Sequence, residues 1–359
     1  MDRRRRSDCI QDKSCKAGIC EKWNNVMRAY QVVEHGDPAS LQFSDVADIL
    51  PAKGQILVRV HAAGINYPDV LVVSGKYQVL PARPFTPGKD LAGVVSRIGP
   101  GVTGFAVGDR VLGQVEHGAF AEQAVLRPDQ AFKIPDAMSF AQAAAMGLVY
   151  QTAYLALVDR GAYKTGETVL VGGAAGGIGL AAVQISKGLG ARVIAAVRGP
   201  DEARFVKENG ADVAIDISGA DIKDSLRAQV LAATNGAGAD IVLDPLGGGF
   251  FAAALRAMAW CGRLVVIGFA AGDIPTLKVN YLLLKNISVL GIQWSDYRDR
   301  APERVSAIQA DIFRLWQAGA VKPYLMREYP FGELPQALDL IQQGHVRGKL
   351  VVIVNPDQR

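Results

Sequence analysis

The stretch TVLVGGAAGGIGLAAVQISKGLGARVIAAV, residues 168–197, constrains the fold more than any other part of the chain. An apolar strand runs into a glycine-rich turn, then a helix, then a second apolar strand, the pattern of a dinucleotide-binding βαβ unit. Gly173, Gly176 and Gly179 form G-x-x-G-x-x-G. The first permits the tight turn, and Gly176 lets the backbone approach a pyrophosphate. Gly179, with Ala181 and Ala182, lets the helix sit close to the sheet, and the free N–H groups at the helix start supply an anion site. The expected cradle is therefore Gly173, Ala174, Gly176, Gly177, Ile178 and Gly179. Glycine turns between strand and helix also occur without a ligand, but here both flanking strands are visible.

The tip of the second strand bears on the choice of nucleotide. An NAD site usually places a carboxylate there for the ribose 2′-OH, whereas an NADP site omits it and supplies an arginine. This strand ends Ala196-Val197-Arg198-Gly199, with no acid, and Arg198 is able to fork onto a 2′-phosphate. The bland alternative is a solvated loop arginine, and Asp201 and Glu202 nearby would weaken a phosphate site.

At 359 residues the chain is long for one core, so two domains are expected. The formal charge of +4 owes much to the run Arg3–Arg6, so no nucleic-acid surface is indicated. No apolar run approaches the roughly 18 residues of a membrane span, and the start lacks the apolar core of a signal peptide, so a cytoplasmic protein with no membrane partner is expected. Cys9, Cys15 and Cys20 lie in the leader without C-x-x-C spacing or a nearby histidine before His35, which disfavours a zinc knuckle. Met27 opens the first strand pattern, and residues 1–26 read as a disordered extension.

From Met27 to about Ala145 short strands alternate with Gly, Pro and Asp turns, as in QILVRVHAAGI, AGVVSRIG, DRVLGQV and AFAEQAVL, a mostly-β domain. From about Tyr150 strands and Ala/Leu-rich helices alternate, through TVLVGG, ARVIAAV, VAIDI, ADIVLDPLGG, GRLVVIGFA and ISVLGIQW, which implies a doubly wound parallel sheet. After Ser295 come two helical stretches and a final strand, KLVVIV.

With GINYPDVLVVSGKY, PFTPGKDLAGVV, VGDRVLG, GGAAGGIG, DPLGG, GRLVVIGFA and GKLVVIV in order, the chain from Met27 onward resembles the zinc-independent branch of the medium-chain dehydrogenase/reductase superfamily, the NADPH:quinone oxidoreductase (zeta-crystallin-like) family. The resemblance implies an α/β chain: a GroES-like, mostly-β catalytic domain from residues 27–149 and 290–359, with a Rossmann NADP-binding domain from 150–289 inserted and the cleft between them. It implies NADPH as cofactor and a homodimer formed through the sheet that holds ISVLGIQW. Where zinc-dependent relatives carry a Cys and a His as ligands, this chain has Asn66 and Lys89, and no cysteine lies between Cys20 and Cys261 to build a structural zinc lobe, so no metal is expected.

Without a Lewis acid, acceptors that need little activation fit best, namely quinones and alkenes conjugated to a carbonyl. By resemblance, Asn66 sits in the cleft and would bond the nicotinamide ribose or the substrate; the alternative is an Asn capping the turn before Pro68. Tyr77, with Tyr67 as second candidate, would donate to the oxygen of the reduced acceptor; each could equally be a packing tyrosine. Asp90 reads as structural. Asp244 and the loop Gly268-Phe269-Ala270 would shape the nicotinamide groove, and Lys349 would approach the cofactor phosphates or stay solvated. The lysine usual in a 2′-phosphate loop aligns with Glu202. Two other readings stay open: an enoyl-thioester reductase, for which Arg83 and Arg298 would have to supply a basic cleft mouth, and a non-catalytic NADPH-binding protein of the crystallin type.

Overall fold

The computed structural model describes residues 26–356. β1 (Val26–Gln31) and β2 (Gln42–Ala47) pair antiparallel. β1 begins at Val26, so the last residue of the expected extension belongs to a strand; the rest of that segment, with its three cysteines, lies outside the described residues. Then follow β3 (Ile56–Ile65), β4 (Asp90–Ile98), β5 (Arg110–Gln114), β6 (Gln123–Leu126) and β7 (Ala131–Lys133). The alternating region contributes β8 (Thr168–Val171), β9 (Arg192–Val197), β10 (Val213–Asp216), β11 (Ala239–Asp244), β12 (Met258–Val266) and β13 (Ser288–Gly291), and the chain closes with β14 (Leu325–Pro330) and β15 (Lys349–Ile353).

Two sheets organise the molecule. The first runs β14-β15-β3-β4-β5-β7, with β6 paired to β3, so strands from both ends of the chain share one sheet. The second is wholly parallel in the order β10-β9-β8-β11-β12-β13. Its central strands β8, β9 and β11 are Val-, Ile- and Leu-rich and buried on both faces, as helices on either side require. The strand order reverses between β8 and β11, and in such sheets the crevice at the carboxyl ends of the strands beside this reversal is where ligands bind. The GroES-like sheet plus doubly wound Rossmann-like sheet is the α/β architecture expected from the sequence.

β13 reaches Gly291, past the residue 289 taken from the sequence as the end of the nucleotide domain. The helix Pro302–Gln317 also lies beyond it, burying Val305, Ile308 and Ile312 in the same core as the helix Gly177–Gly188. We propose accordingly that the nucleotide domain continues to the end of that helix. No helix among the described residues is long and apolar enough to cross a membrane.

Candidate functional site

Strand register assembles a buried polar cluster at one edge of the mixed sheet. Leu350 of β15 faces Ile65 of β3, Gly64 faces Asp90 of β4, and Asp90 faces Gln114 of β5. Four polar residues at or beside these strand ends, Lys349, Asn66, Asp90 and Gln114, are thereby neighbours although the chain separates them widely, and all are buried. The Lys349 Nζ donates to the Ile65 carbonyl at 2.7 Å and to Asn66 Oδ1 at 2.6 Å. Asn66 Nδ2 donates to Asp90 Oδ2 at 3.0 Å, and Gln114 Nε2 to Asp90 Oδ1 at 2.7 Å.

Asp90 also bonds beyond its own sheet. Its Oδ1 accepts the Leu148 N–H at 2.9 Å, at the start of the helix Gly147–Tyr154, where helix dipole and free donors favour a carboxylate. Gly147 makes this possible, since a Cβ there would lie 2.3 Å from Asp90 Oδ1. Burial pushes the Asp90 carboxyl up, opposed by the Lys349 ammonium and by its three N–H donors. Lys349 is pushed down by burial, opposed by Asp90 and Asp69.

Asn66 precedes the helix Tyr67–Val73, yet its side chain is not the cap. Asp69 Oδ2 accepts the Asn66 backbone N–H at 2.8 Å, and the Asn66 amide instead bridges Lys349 and Asp90. Asp69 is fully enclosed, its Oδ1 has no hydrogen-bond partner, and burial raises its carboxyl to about 7, against the pull of Lys89. Tyr77 is half-buried beyond this cluster, with the Lys89 ammonium 4.8 Å from its ring centroid. Burial, with Glu116 and Asp69, pushes the Tyr77 hydroxyl up to about 12. Such a hydroxyl stays protonated at any working pH, which leaves it able to donate a hydrogen bond or a proton. Tyr67 is 39% exposed at the first position of its helix and outside the hydrogen-bonded cluster.

The glycine loop adjoins this cluster. Gly173 has φ +55°, the left-handed conformation of the tight turn. At Gly179 a Cβ would lie 2.1 Å from the Gly173 carbonyl oxygen, so the close approach it permits is of the helix onto its own entry loop. At Gly176 the nearest atom to a Cβ is the same oxygen at 3.4 Å, which leaves that face open to a ligand. Ala174 N donates to the Ala196 carbonyl, and the Ala175 carbonyl accepts from Gly348 N, tying the loop to β9 and to the approach to β15. The N–H groups of Gly177, Ile178 and Gly179, in the first turn of the helix Gly177–Gly188, have no intrahelical acceptor. These features fit a dinucleotide pyrophosphate.

The remaining expected residues fall out as follows. Arg198 stands at the end of β9, 60% exposed by side chain, donating to the Gly344 carbonyl at 3.0 Å and lying 3.4 Å from Glu202. Asp244 Oδ1 accepts the N–H groups of Leu246 and Gly247, both at 2.8 Å, so it builds the turn after β11; burial raises its carboxyl to about 6. Ile267 and Gly268 donate to the Asp244 carbonyl and Ala270 to that of Pro245, which lays the loop Gly268-Phe269-Ala270 over that turn, with Phe269 against Gly247. One of the two readings of Lys349 needs correction. Lys349 is not solvated: it is buried, its ammonium donates to Ile65 and Asn66, and its stem passes beside Gly177 of the glycine loop. Arg298 offers no free charge at the cleft mouth, since it is buried and paired with Glu116 at 2.9 Å and Asp299 at 2.8 Å. Gln114, Asp69 and Glu116 were not singled out by sequence; a lone polar residue at the end of the apolar strand RVLGQ was the available signal for Gln114.

A mostly-β domain beside a parallel nucleotide-type sheet, with a polar cluster at their junction, defines a two-domain dehydrogenase or reductase. Residues 52–136 match the alcohol dehydrogenase GroES-like domain, and residues 177–310 the zinc-binding dehydrogenase family. A quinone oxidoreductase-like protein 2 homolog from Nematostella vectensis is 36% identical over 338 residues, covering 92% of this chain and 91% of that protein. The human quinone oxidoreductase is 31% identical over 335 residues, covering 92% and 98%. Among solved structures, Escherichia coli quinone oxidoreductase complexed with NADPH aligns with a TM-score of 0.83 at 29% identity, over 91% of this chain and all of that one. The chain belongs to the quinone oxidoreductase family of medium-chain dehydrogenases/reductases, a family of oxidoreductases. Among the described residues no group of three or more His, Cys, Asp or Glu is placed to hold a metal ion.

Proposed function

We propose that the protein is an NADPH-dependent reductase of quinones or similarly conjugated carbonyl acceptors, working without a metal. The observation that carries this is the continuity of the two features: the glycine loop touches Gly348, and Lys349 runs from there directly to Asn66 in the buried cluster. Related proteins have been solved with NADPH, which supports the same cofactor here. The glycine loop and helix start would hold its pyrophosphate, and Arg198, once released from Glu202, its 2′-phosphate. When bound, NADPH supplies a hydride. The chain's own part is to orient and to donate: Asn66, fixed at both ends of its amide, sets the floor of the cleft, and the neutral Tyr77 hydroxyl donates to the acceptor oxygen as charge develops on it.

A cavity of about 680 Å³ at the cleft mouth supports a neutral acceptor over an acyl-CoA ester. It is lined by Glu116, Asp129, Asp296 and Asp299 against Arg127 and Arg298, and both guanidiniums are already paired to those carboxylates. No surplus positive charge faces the phosphates of a CoA tail. NADPH oxidation measured against quinones, enones and enoyl-CoA esters tests this reading, which expects the order quinone, then enone, then enoyl-CoA. Highest kcat/KM with an enoyl-CoA would overturn it.

We also propose a homodimer through the edge strand β13. Among the described residues that edge pairs only with β12, and the segment leading to it exposes Val279, Leu283 and Leu284, each more than 70% accessible.

A further inference from the structure

We propose that Lys89 is a positioning residue of this site, its ammonium held by Glu116 against the ring of Tyr77 so that the tyrosine hydroxyl is kept in place as donor to the acceptor oxygen. The inference rests on the reading of Tyr77 given above and assigns a role to a lysine that this reading leaves unused.

The Lys89 side chain is only 6% exposed. Enclosing an ammonium is costly unless it is paired and hydrogen-bonded, and an unbranched apolar side chain would fill the same space without that cost. Here the charge is retained and fully engaged. Nζ donates to Glu116 Oε1 at 2.5 Å and to the Glu116 carbonyl at 3.1 Å, and it lies 4.8 Å from the Tyr77 ring centroid. Glu116 is fixed in turn by Arg298, at 2.9 Å from its other oxygen. Arg298 belongs to the helix Trp294–Arg300, which follows the parallel sheet, and Glu116 to the loop after β5 of the mixed sheet. A chain of contacts thus runs from the nucleotide side of the cleft, through Arg298, Glu116 and Lys89, to Tyr77.

Two consequences follow from removing the ammonium. The ring loses a cation–π contact that fixes its plane. Glu116, whose charge already holds the Tyr77 hydroxyl up, loses one of its two compensating cations. Neither effect touches the glycine loop, so cofactor binding is spared.

A double-mutant cycle on the full chain tests the proposal, with NADPH and a simple benzoquinone as probes. Lys89→Met should lower kcat roughly three- to thirtyfold while the NADPH Kd changes by less than about twofold. Lys89→Arg, which keeps the cation, should recover most of the loss. In a Tyr77→Phe background Lys89→Met should cost less than about twofold more, because the group it acts through is gone. Equal losses in both backgrounds, or no loss beside Tyr77, would overturn the proposal. Should Lys89→Met not fold, Glu116→Gln in the same two backgrounds removes the ammonium's ionic partner with little change of shape and is judged by the same criterion. Tyr77→Phe alone at full turnover would remove the site reading itself, and that result is visible before the cycle is closed.

Discussion

At the scale of single residues, the site is a set of buried charges whose protonation the fold has set. Asp69 gives a pH signature. Its ordinary value of 3.8 is raised to about 7 by burial, so the folded state holds its proton more tightly than the unfolded chain. The contribution is fully present below about pH 4 and is lost as pH rises through 7. Asp69→Asn should therefore flatten the stability profile between pH 4 and 7 relative to the parent, as read from denaturant midpoints. Superimposable profiles would show that Asp69 titrates normally. Tyr77 makes the complementary case. With its hydroxyl pushed up to about 12, it stays neutral, and as the proposed donor its replacement Tyr77→Phe should lower kcat by roughly 10- to 1000-fold with the NADPH Kd nearly unchanged. Retained turnover in that variant would leave solvent as the donor.

At the scale of elements, the glycine loop separates packing from ligand contact. Gly179→Ala would drive a methyl to 2.1 Å from the Gly173 carbonyl, and relief of that clash should cost on the order of 1 to 3 kcal/mol and lower the melting temperature. Gly176→Ala meets nothing closer than 3.4 Å, so it should melt like the parent yet bind NADPH at least about tenfold more weakly, because its methyl occupies the face left for the pyrophosphate. Thermal melts and cofactor titrations of the two variants check this, and equal NADPH affinity for Gly176→Ala would show that the loop does not cradle the phosphates. The loop and the apolar strands were readable in the sequence because their signals are local: a glycine spacing, a hydrophobic run, a turn. The cluster was readable only in part. Asn66 stood out through the family resemblance, but its partners Lys349 and Asp90, and Gln114 beyond Asp90, arrive by strand register between distant segments, which no local pattern encodes. The solvated alternative for Lys349 fails for the same reason, since a lysine opening an apolar strand reads as solvated until the neighbouring strand end supplies its acceptors.

At the scale of the whole molecule, the mixed sheet and the parallel sheet meet along contacts that belong to the site. Asp90 bonds the start of the helix Gly147–Tyr154, Glu116 bonds Arg298, and Arg127 lies 3.7 Å from Asp299. Of these, Glu116 also holds Lys89 against the candidate donor Tyr77. The exposed edge of the parallel sheet makes a separate statement. Leu284→Glu should convert a dimer to a monomer by light scattering after size exclusion, whereas an unchanged mass would place the interface elsewhere. The central claim, that this fold binds NADPH and passes its hydride to a quinone, is tested most directly by one comparison: kcat/KM for benzoquinone reduction with NADPH and with NADH, in the parent and in Arg198→Ala. A charge-assisted pair to the 2′-phosphate contributes on the order of 1.5 to 3 kcal/mol, so the parent should prefer NADPH by roughly ten- to a hundredfold and the variant should lose that preference. No NADPH-driven quinone reduction, or equal use of both cofactors by the parent, would contradict the account.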